Sequence, residues 1–226
     1  ISFLQILFNF PIILFHYNST MINIREYCYD CNRVKEACVC MHISEIKTET
    51  KFILLMHPKE YRKTKNNSGK MTVKSLPNSK IIVGIDFSQN IEINALIKNN
   101  DCYVLYPSEN SINLNKQSIK GKKDIVIFII DSTWACSKKM LRFSPNLDSL
   151  AKISFTHNLE SNYQFKKQPN KYCLSTIEST LCILKLLNEQ KIENIEKRSL
   201  EKFLKPFEKM VEYQIKQSNL KTIRYK

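Results

Sequence analysis

Short apolar runs, each ending in a polar stretch, recur along the chain and give the first indication of its fold. The longest run, 125–130, has six consecutive apolar residues and leads directly into Asp131-Ser132-Thr133-Trp134. A run rich in β-branched residues and without polar alternation is typical of a strand buried on both faces. Further runs with polar ends occupy residues 52–56, 80–85, 102–105 and 153–155.

The alternation of such runs with longer spacers predicts an α/β fold. The spacer 90–99 has room for a helix, and residues 135–140 suit the start of another. We expect a mostly parallel sheet with helices on both faces, because right-handed crossovers place successive strands side by side in one direction. The polar strand ends then share one edge of the sheet, where open parallel sheets bind ligands.

Two longer helices are predicted in the C-terminal part of the chain. Residues 176–187 carry an apolar face behind a capping box formed by Ser175 and Glu178. Residues 200–216 place their apolar side chains on one stripe, which is typical of a core-facing helix. Pro206 lies inside this second pattern and would kink the helix or start it anew.

The first twenty residues differ from the rest and are predicted not to belong to the folded domain. Their apolar stretch is interrupted by Pro11 and is shorter than the roughly 20 residues of a membrane helix. They also lack the basic segment and the cleavage site of a signal peptide. We interpret residues 1–20 as a non-native or disordered leader, with a weak anchor or an extra strand as alternatives. A cytoplasmic protein without membrane attachment is expected.

A group of four cysteines near the N-terminus predicts a metal site. Cys28 and Cys31 form a CxxC pair, which makes a tight turn. Cys38 and Cys40 form a CxC pair, whose sulfurs would face the same side of an extended strand. Two such pairs can complete a tetrahedral zinc site. Disulfides are the alternative, but nothing in the chain indicates secretion, which favours the metal. Four thiolates leave no open position, so the zinc would be structural, in a knuckle over residues 21–48.

Composition limits the classes of partner and cofactor site. The 226 residues carry a formal net charge of +14, and a basic balance of this size favours a polyanion such as nucleic acid. Richness in Lys, Asn and Ile, as an AT-rich genome produces, is an alternative source of part of the lysine excess. The three glycines are far apart, which weighs against the glycine-rich loops of Rossmann dehydrogenases and P-loop NTPases.

Two segments combine positive charge with features suited to RNA. The polar stretch 61–78 predicts a loop whose cations, including Lys70, contact phosphate, although an ordinary solvated loop has the same composition. In 161–179, aromatic and cationic side chains are interleaved, as in contacts with single-stranded RNA. This second group includes Tyr163, Lys166 and Lys167.

Taken in order, the motifs of this chain resemble the DTW-domain family, the tRNA-uridine aminocarboxypropyltransferases. The motifs are Cys28-x2-Cys31-x6-Cys38-x-Cys40, His57-Pro58-x-Glu60, Leu105-Tyr106-Pro107-Ser108, Asp131-x-Thr133-Trp134, Ser161-x-Tyr163 and Ser175-Thr176-x-Glu178. Six motifs in register over residues 25–187 are much more specific than any one of them. The chain departs from the family pattern at Val34, where proline is usual, and at Lys166, where arginine is usual. Asn67-Ser68-Gly69-Lys70 is a third departure, a softened form of a stretch that contains Thr and Arg.

The resemblance implies a knotted, SPOUT-like α/β domain, here residues 49–226, that binds S-adenosylmethionine. It further implies transfer of the 3-amino-3-carboxypropyl group to N3 of a tRNA uridine, with release of methylthioadenosine. N3 becomes a good nucleophile only as its proton leaves, so we expect a carboxylate within hydrogen-bond reach. Asp131 is the first candidate for this base, and Glu60 and Glu178 follow.

The remaining site residues are predicted on the same basis. Tyr106, Pro107 and Ser108 would line the adenosine pocket. Ser175 and Thr176, with the amides at the helix start, would hold the methionine carboxylate. The cofactor site also includes Asp131, Thr133 and Trp134, and Trp134 stacks on uracil or adenine, or is a packing residue. The predicted RNA-binding residues are Arg33, His57, Lys70, Tyr163, Lys166 and Lys167.

Two other functions fit the same residues. Spacing alone does not separate aminocarboxypropyl transfer from methyl transfer, so a SPOUT-type tRNA methyltransferase that uses S-adenosylmethionine is the first alternative. A non-catalytic zinc-knuckle protein that binds RNA through its basic surface is the second. The choice of tRNA, the uridine position and the oligomeric state do not follow from the sequence.

Overall fold

A six-stranded parallel sheet forms the centre of the molecule. The computed structural model describes residues 25–63, 67–119, 121, 123–158, 161 and 173–219. The strands are β1 (Lys51–Met56), β2 (Ser79–Val83), β3 (Asp101–Leu105), β4 (Ile112–Asn113), β5 (Ile125–Asp131) and β6 (Ala151–Ser154). Their order is β2-β1-β5-β3-β6-β4, and every neighbouring pair is parallel. The predicted mostly parallel α/β sheet is therefore confirmed.

Helices cover both faces of this sheet, as predicted. They are α1 (Pro58–Lys63), α2 (Ser68–Ser75), α3 (Ile91–Asn99), α4 (Trp134–Phe143), α5 (Pro145–Asp148), α6 (Thr176–Glu189), α7 (Lys197–Lys202) and α8 (Lys205–Asn219). The side chains of α2, α6, α7 and α8 contribute to one hydrophobic core. Those of α3, α4 and α5 contribute to a second core on the opposite face.

The alternation of side chains along the central strands explains why these strands read as unbroken apolar runs. On β1, Phe52 and Leu54 enter the first core, whereas Ile53 and Leu55 enter the second. All four side chains are almost completely buried. Because β1 and β5 lie next to each other in the interior of the sheet, neither face of either strand meets solvent, and polar alternation is absent.

The loop predicted at 61–78 is wrong, because this segment contains the end of α1 and all of α2. Asn67 caps α2, since its side-chain oxygen accepts a hydrogen bond from the Lys70 amide at 2.9 Å. The buried face of α2 is made largely of small polar residues, and the Thr72 hydroxyl donates to the Ser68 carbonyl at 3.0 Å. A hydrophobic pattern does not detect a helix whose buried face is polar.

Two smaller differences concern the ends of the sheet and of the chain. The helix predicted at 200–216 is divided into α7 and α8, and Pro206 lies at the start of α8. Proline suits a helix start because its missing N–H would have no partner there. Strand β4 was not predicted; its two residues, Ile112 and Asn113, pair with Ile153 and Ser154 of β6 at the edge of the sheet.

Some predictions fall beyond the part of the chain that is described. The expected leader at 1–20 lies outside these residues. Among the helices that are described, none has both the length and the apolar character needed to cross a bilayer. The knotted chain path stays a prediction.

Candidate functional site

The four predicted cysteine ligands lie together in a compact cluster. The sulfur atoms of Cys28, Cys31, Cys38 and Cys40 are all within 4.8 Å of one another. The Sγ–Sγ distance is 3.9 Å between Cys28 and Cys40 and 3.8 Å between Cys31 and Cys38. A disulfide would need about 2.05 Å. A tetrahedron with Zn–S bonds of about 2.3 Å has S···S edges of about 3.8 Å, so the cluster has the dimensions of a four-thiolate zinc site.

The cysteines differ in how readily they lose their protons. Hydrogen bonds, first from the Cys31 backbone and then from the Cys38 thiol, lower the pKa of Cys28 to about 7. Burial raises the pKa of Cys40 to about 12 and also raises the pKa of Cys38. Zinc binds thiolates, so a bound ion would displace the protons of Cys38 and Cys40 at neutral pH.

Local backbone geometry, and not an extended strand, brings the second cysteine pair together. Cys40 begins a short 3-10 turn, Cys40–His42, and its amide donates to Cys38 Sγ at 3.5 Å. The strand predicted for the CxC pair is therefore wrong, although both sulfurs still point into the cluster. Val39 between them is 4% exposed and belongs to the first core, which fixes the cluster to the α/β domain.

A cavity of about 650 Å³ lies outside the carboxyl ends of β3, β5 and β6. The chain runs from β1 to β2 toward one edge of the sheet and from β5 to β6 toward the other edge. The connections therefore reverse direction between the adjacent strands β1 and β5. Ligands bind at such points in open parallel sheets, and the volume lies in the range of roughly 300–1,000 Å³ that is usual for small-molecule sites. Seven predicted cofactor residues line this cavity: Tyr106, Pro107, Asp131, Thr133, Trp134, Ser175 and Thr176.

Asp131 supplies the acidic group of the cavity. It is the last residue of β5 and is only 5% exposed. Its carbonyl accepts a hydrogen bond from the His57 amide at 3.1 Å, which ties the end of β5 to the end of β1. Gly69 on α2 packs directly against the carboxylate, and a Cβ atom at this position would overlap Asp131 Oδ2. The backbone of Asp131 is thus tied to the end of β1, and its carboxylate packs against α2.

Two aromatic side chains form one wall of the cavity. The rings of Tyr106 and Trp134 meet edge to face, with their centroids 6.2 Å apart. Trp134 begins α4 and remains 50% exposed. Its position is fixed by Thr133, whose hydroxyl caps α4 by accepting from the Cys136 amide at 3.4 Å. A half-exposed indole beside a buried acid offers a flat surface on which a base can stack.

The start of α6 forms another part of the cavity lining. The Glu178 carboxylate accepts hydrogen bonds from the Ser175 amide at 2.7 Å and the Ser175 hydroxyl at 2.6 Å. It also accepts from the Ser161 hydroxyl at 2.8 Å. The predicted capping box is confirmed, and it places Ser175 and Thr176 at the cavity while Glu178 does not line it.

Three of the residues predicted to be catalytic or cofactor-binding do not line the cavity. Glu178 is one of them, and its carboxylate is already used by the helix cap. Glu60 lies on α1. Ser108 follows Pro107 along the chain but lies in a separate shallow depression, where its carbonyl accepts from the Ser111 hydroxyl at 2.8 Å. Asp131 is therefore the only one of the three predicted catalytic carboxylates that lines this cavity.

The predicted RNA-binding residues lie in different surroundings. Arg33 is 7% exposed and His57 is 8% exposed. His57 Nδ1 accepts from the Lys59 amide at 3.1 Å at the start of α1, so its ring acts as a cap. Lys70 donates to the Tyr61 carbonyl at 3.1 Å and lies 4.5 Å from the centre of the Tyr61 ring. Tyr163, Lys166 and Lys167 lie outside the described residues.

His157 is a cavity residue that was not predicted. It lines the cavity just after β6, and its ring centroid is 5.6 Å from that of Phe155. Among the described residues, no hydrogen-bond partner reaches its buried Nδ1 atom. The polar triplet 156–158 at the end of an apolar run was the available signal. Gly69 was also not given a role, because only the fold shows that it packs against Asp131.

Comparisons with known proteins identify the relatives of this chain. The family model of the DTW domain matches residues 25–215. The chain is similar to proteins named tRNA-uridine aminocarboxypropyltransferase 2: it is 25% identical to that of Macaca fascicularis over 177 residues, 23% to that of Mus musculus over 172, and 24% to that of Drosophila melanogaster over 175. These matches cover 73%, 73% and 74% of this chain and 57%, 57% and 69% of the relatives.

The chain thus spans between 57% and 69% of the length of these curated relatives. No solved structure matches it. The family match, in contrast, extends over most of the chain and includes the cysteine cluster, the parallel sheet and all the cavity walls. The resemblance predicted from the short motifs is confirmed, and the chain belongs to the DTW domain family.

Proposed function

We propose that this protein modifies tRNA by transferring the 3-amino-3-carboxypropyl group of S-adenosylmethionine to N3 of a uridine, releasing methylthioadenosine. The proposal depends on one observation above all: a buried carboxylate, two aromatic rings and a helix start converge on a single cavity at the carboxyl edge of the sheet. Family membership and the names of the relatives support the same reaction.

The chemistry of the cavity residues fits a nucleoside that carries an amino acid group. Tyr106 and Pro107 offer apolar surface for an adenine ring on one wall. The hydroxyls of Ser175 and Thr176, at the start of the 14-residue helix α6, suit a carboxylate, because the N-terminus of a helix carries a partial positive charge. Bound S-adenosylmethionine supplies an electrophilic γ-carbon next to its sulfonium.

Asp131 has the properties required of the base. Removing the N3 proton of uracil turns that nitrogen into a nucleophile, and a carboxylate at hydrogen-bond distance accepts the proton. Asp131 lines the same cavity as the aromatic wall and the helix start. Trp134, half exposed at the mouth, would stack on the uracil and orient N3 toward the γ-carbon, and correct orientation by itself supplies a large part of the rate.

Zinc in this account is structural. Four thiolates fill a tetrahedral coordination shell, which leaves no position for a substrate. None of the four cysteines lines the cavity. The metal would therefore stabilise the N-terminal knuckle, the part that we assign to residues 21–48, and residues 49–226 would carry the transferase chemistry.

The decisive variant is Asp131→Asn, which keeps the shape of the side chain and removes its basicity. Purified protein is incubated with S-adenosylmethionine and tRNA from cells that lack the modification, and the nucleosides are analysed by mass spectrometry. We expect the wild type to form the aminocarboxypropyl adduct of uridine. The variant should form it at least about 100-fold more slowly, since general-base catalysis typically contributes 10²–10⁴-fold.

The control is Asp86→Asn. Asp86 follows β2 near the same edge of the sheet, is exposed and does not line the cavity. Its side chain accepts from the Ser88 amide at 2.8 Å, which an asparagine oxygen can replace. This variant should match the wild type. Equal activity of Asp131→Asn and the wild type would exclude Asp131 as the base, and a methyl adduct would assign the protein to the methyltransferases instead.

A further inference from the structure

Helix α4 presents a basic face that the proposed chemistry does not use. Lys138, Lys139 and Arg142 are exposed, and α4 contains no acidic residue. Trp134, Lys138 and Arg142 are spaced by four residues, so they follow one side of the helix. Among the described residues, none of the three cations has an acidic partner within ion-pair distance.

A groove on this face adjoins the cavity. Its volume is about 560 Å³, and Lys138, Lys139 and Arg142 contribute to its lining. Tyr106 and Ala135 line both the groove and the cavity, so the two lie side by side. Asp148 is the acidic residue of the groove, and its carboxylate pairs with Lys152 at 3.0 Å. The groove therefore places three positive charges next to the cavity.

Aromatic surface accompanies these charges. Phe143 is 41% exposed, and its ring centre lies 5.4 Å from Lys139 Nζ and 5.4 Å from Arg142 Cζ. Trp134 is exposed at the other end of the helix, next to the cavity. Interaction with the helix dipole accounts for Arg142 in the last turn. It does not account for Lys138 and Lys139, which lie in the middle of the helix.

We propose that the exposed face of α4 is the docking surface for the RNA strand that carries the target uridine. Phosphates of the strand contact Lys138, Lys139 and Arg142 in the groove, and Trp134 and Phe143 contact unstacked bases. Cations with interleaved aromatic rings are the usual means of holding single-stranded nucleic acid. The inference rests on the proposed function, since it assumes that tRNA is the substrate.

The test compares two triple variants of the full chain that remove the same charges. Lys138→Ala/Lys139→Ala/Arg142→Ala removes the three positive charges of the proposed docking surface. Lys197→Ala/Arg198→Ala/Lys202→Ala removes two lysines and one arginine from α7, where all three are exposed and none lines the cavity or the groove. Binding of end-labelled total tRNA is measured by anisotropy over a range of salt concentrations, without S-adenosylmethionine and therefore without turnover.

We expect the α4 variant to bind about 10-fold more weakly or worse at physiological salt. Its log–log salt slope should fall by about 0.7–0.9 for each phosphate that the variant no longer neutralises. The α7 variant should remain close to the wild type. A third variant, Lys138→Arg/Lys139→Arg/Arg142→Lys, keeps the charges and should restore the affinity. Equal tRNA affinity and equal salt slopes for the α4 and α7 variants would overturn the proposal that α4 is the docking surface.

The outcomes separate this inference from the proposed function. If the wild type modifies tRNA and the α4 variant binds and modifies it equally well, the proposed docking surface is wrong and the proposed transfer reaction is supported. If the α4 variant loses its affinity for tRNA but the wild type forms no uridine adduct, the proposed docking surface is supported and the proposed transfer reaction is wrong.

Discussion

At the scale of single residues, the contact between Gly69 and Asp131 sets the position of the proposed base. Asp131 is buried at the end of β5, and α2 approaches its carboxylate so closely that only a glycine fits. Gly69 has no positive φ angle, so the requirement comes from space and not from backbone conformation. This glycine therefore acts through Asp131 as a positioning residue.

Gly69→Ala should displace the Asp131 carboxylate and lower kcat by about 10-fold or more, because small misplacements of a reacting group are costly. Gly121→Ala is the matched control, since its Cβ would meet the Asp101 carboxylate at 2.9 Å, away from the cavity. Steady-state kinetics and thermal melting of both variants give the comparison.

A double variant that combines Gly69→Ala with Asp131→Ala tests whether the loss of kcat in Gly69→Ala comes from displacement of the Asp131 carboxylate. The double variant should have the residual activity of Asp131→Ala alone, because the carboxylate that the new methyl group displaces is already gone. Independent, multiplicative losses would show that Gly69 acts by another route.

Site residues could be predicted from short motifs where a particular chemistry requires particular residue types at a fixed spacing. A sole tryptophan after a strand, a capping box and a four-cysteine pattern are visible in one dimension. Gly69 and His157 were not found, since their importance comes from their neighbours: a carboxylate from β5 in one case and the wall of the cavity in the other. Such contacts between segments distant in sequence are not encoded by local spacing.

At the scale of secondary-structure elements, the start of α6 shows how a carboxylate next to a candidate active site can have a structural role. Glu178 is 5% exposed and accepts three hydrogen bonds from Ser175 and Ser161. Those bonds hold the helix start at the cavity. The geometry favours Glu178 as a cap and Asp131 as the base.

Glu178→Gln should therefore keep most of the transferase activity, because glutamine also serves at the third position of a capping box. Glu178→Ala leaves the buried Ser175 amide without its acceptor and should lower the free energy of unfolding by about 1–3 kcal/mol in urea titration. A loss of activity in Glu178→Gln as large as that in Asp131→Asn, with unchanged stability, would instead make Glu178 catalytic.

The cysteine cluster is the second element whose chemistry can be tested alone. We expect about one zinc per chain, and Cys40→Ser should lose it and melt at a lower temperature, since zinc binding is coupled to folding in such sites. Cys102→Ser is the control, because burial raises the pKa of that thiol to about 11 and it lies outside the cluster. Metal analysis and calorimetry give the result.

The contribution of zinc should also depend on pH, with a definite sign. Acid returns protons to the thiolates and competes with the metal, so the added stability is present at neutral pH and is lost as the pH falls. Wild-type protein that contains no metal, yet folds and modifies tRNA normally, would contradict the zinc site.

Helix α2 marks the limit of prediction at this scale. Its buried face includes Ser68, Thr72 and Ser75, so the apolar period that identifies a helix is missing. The strands, in contrast, are buried on both faces and show clear apolar runs. Prediction succeeded where burial is apolar and failed where a helix packs a polar face near the candidate site.

At the scale of the whole molecule, the parallel sheet brings together residues that are far apart in the chain. Residues 105–107, 129–135 and 173–176 all reach one cavity, because parallel strands end at the same edge. The sequence allowed this edge to be predicted from the polar strand ends. It did not reveal the strand order, which places β5 between β1 and β3, or the groove along α4.

The net charge of +14 is consistent with a polyanionic substrate. The exposed face of α4 places part of that charge next to the cavity. Charge alone does not distinguish an RNA-binding protein from an enzyme that acts on RNA. Transfer of a specific group does.

The most direct test of the account is therefore a transfer assay with two labels. The protein is incubated with tRNA and S-adenosylmethionine that is labelled either in its methyl group or in the carboxyl carbon of its methionine part. We predict that the carboxyl label enters tRNA at uridine, while the methyl label leaves with methylthioadenosine. Methyl label in tRNA, or no label from either source, would contradict the proposed transferase.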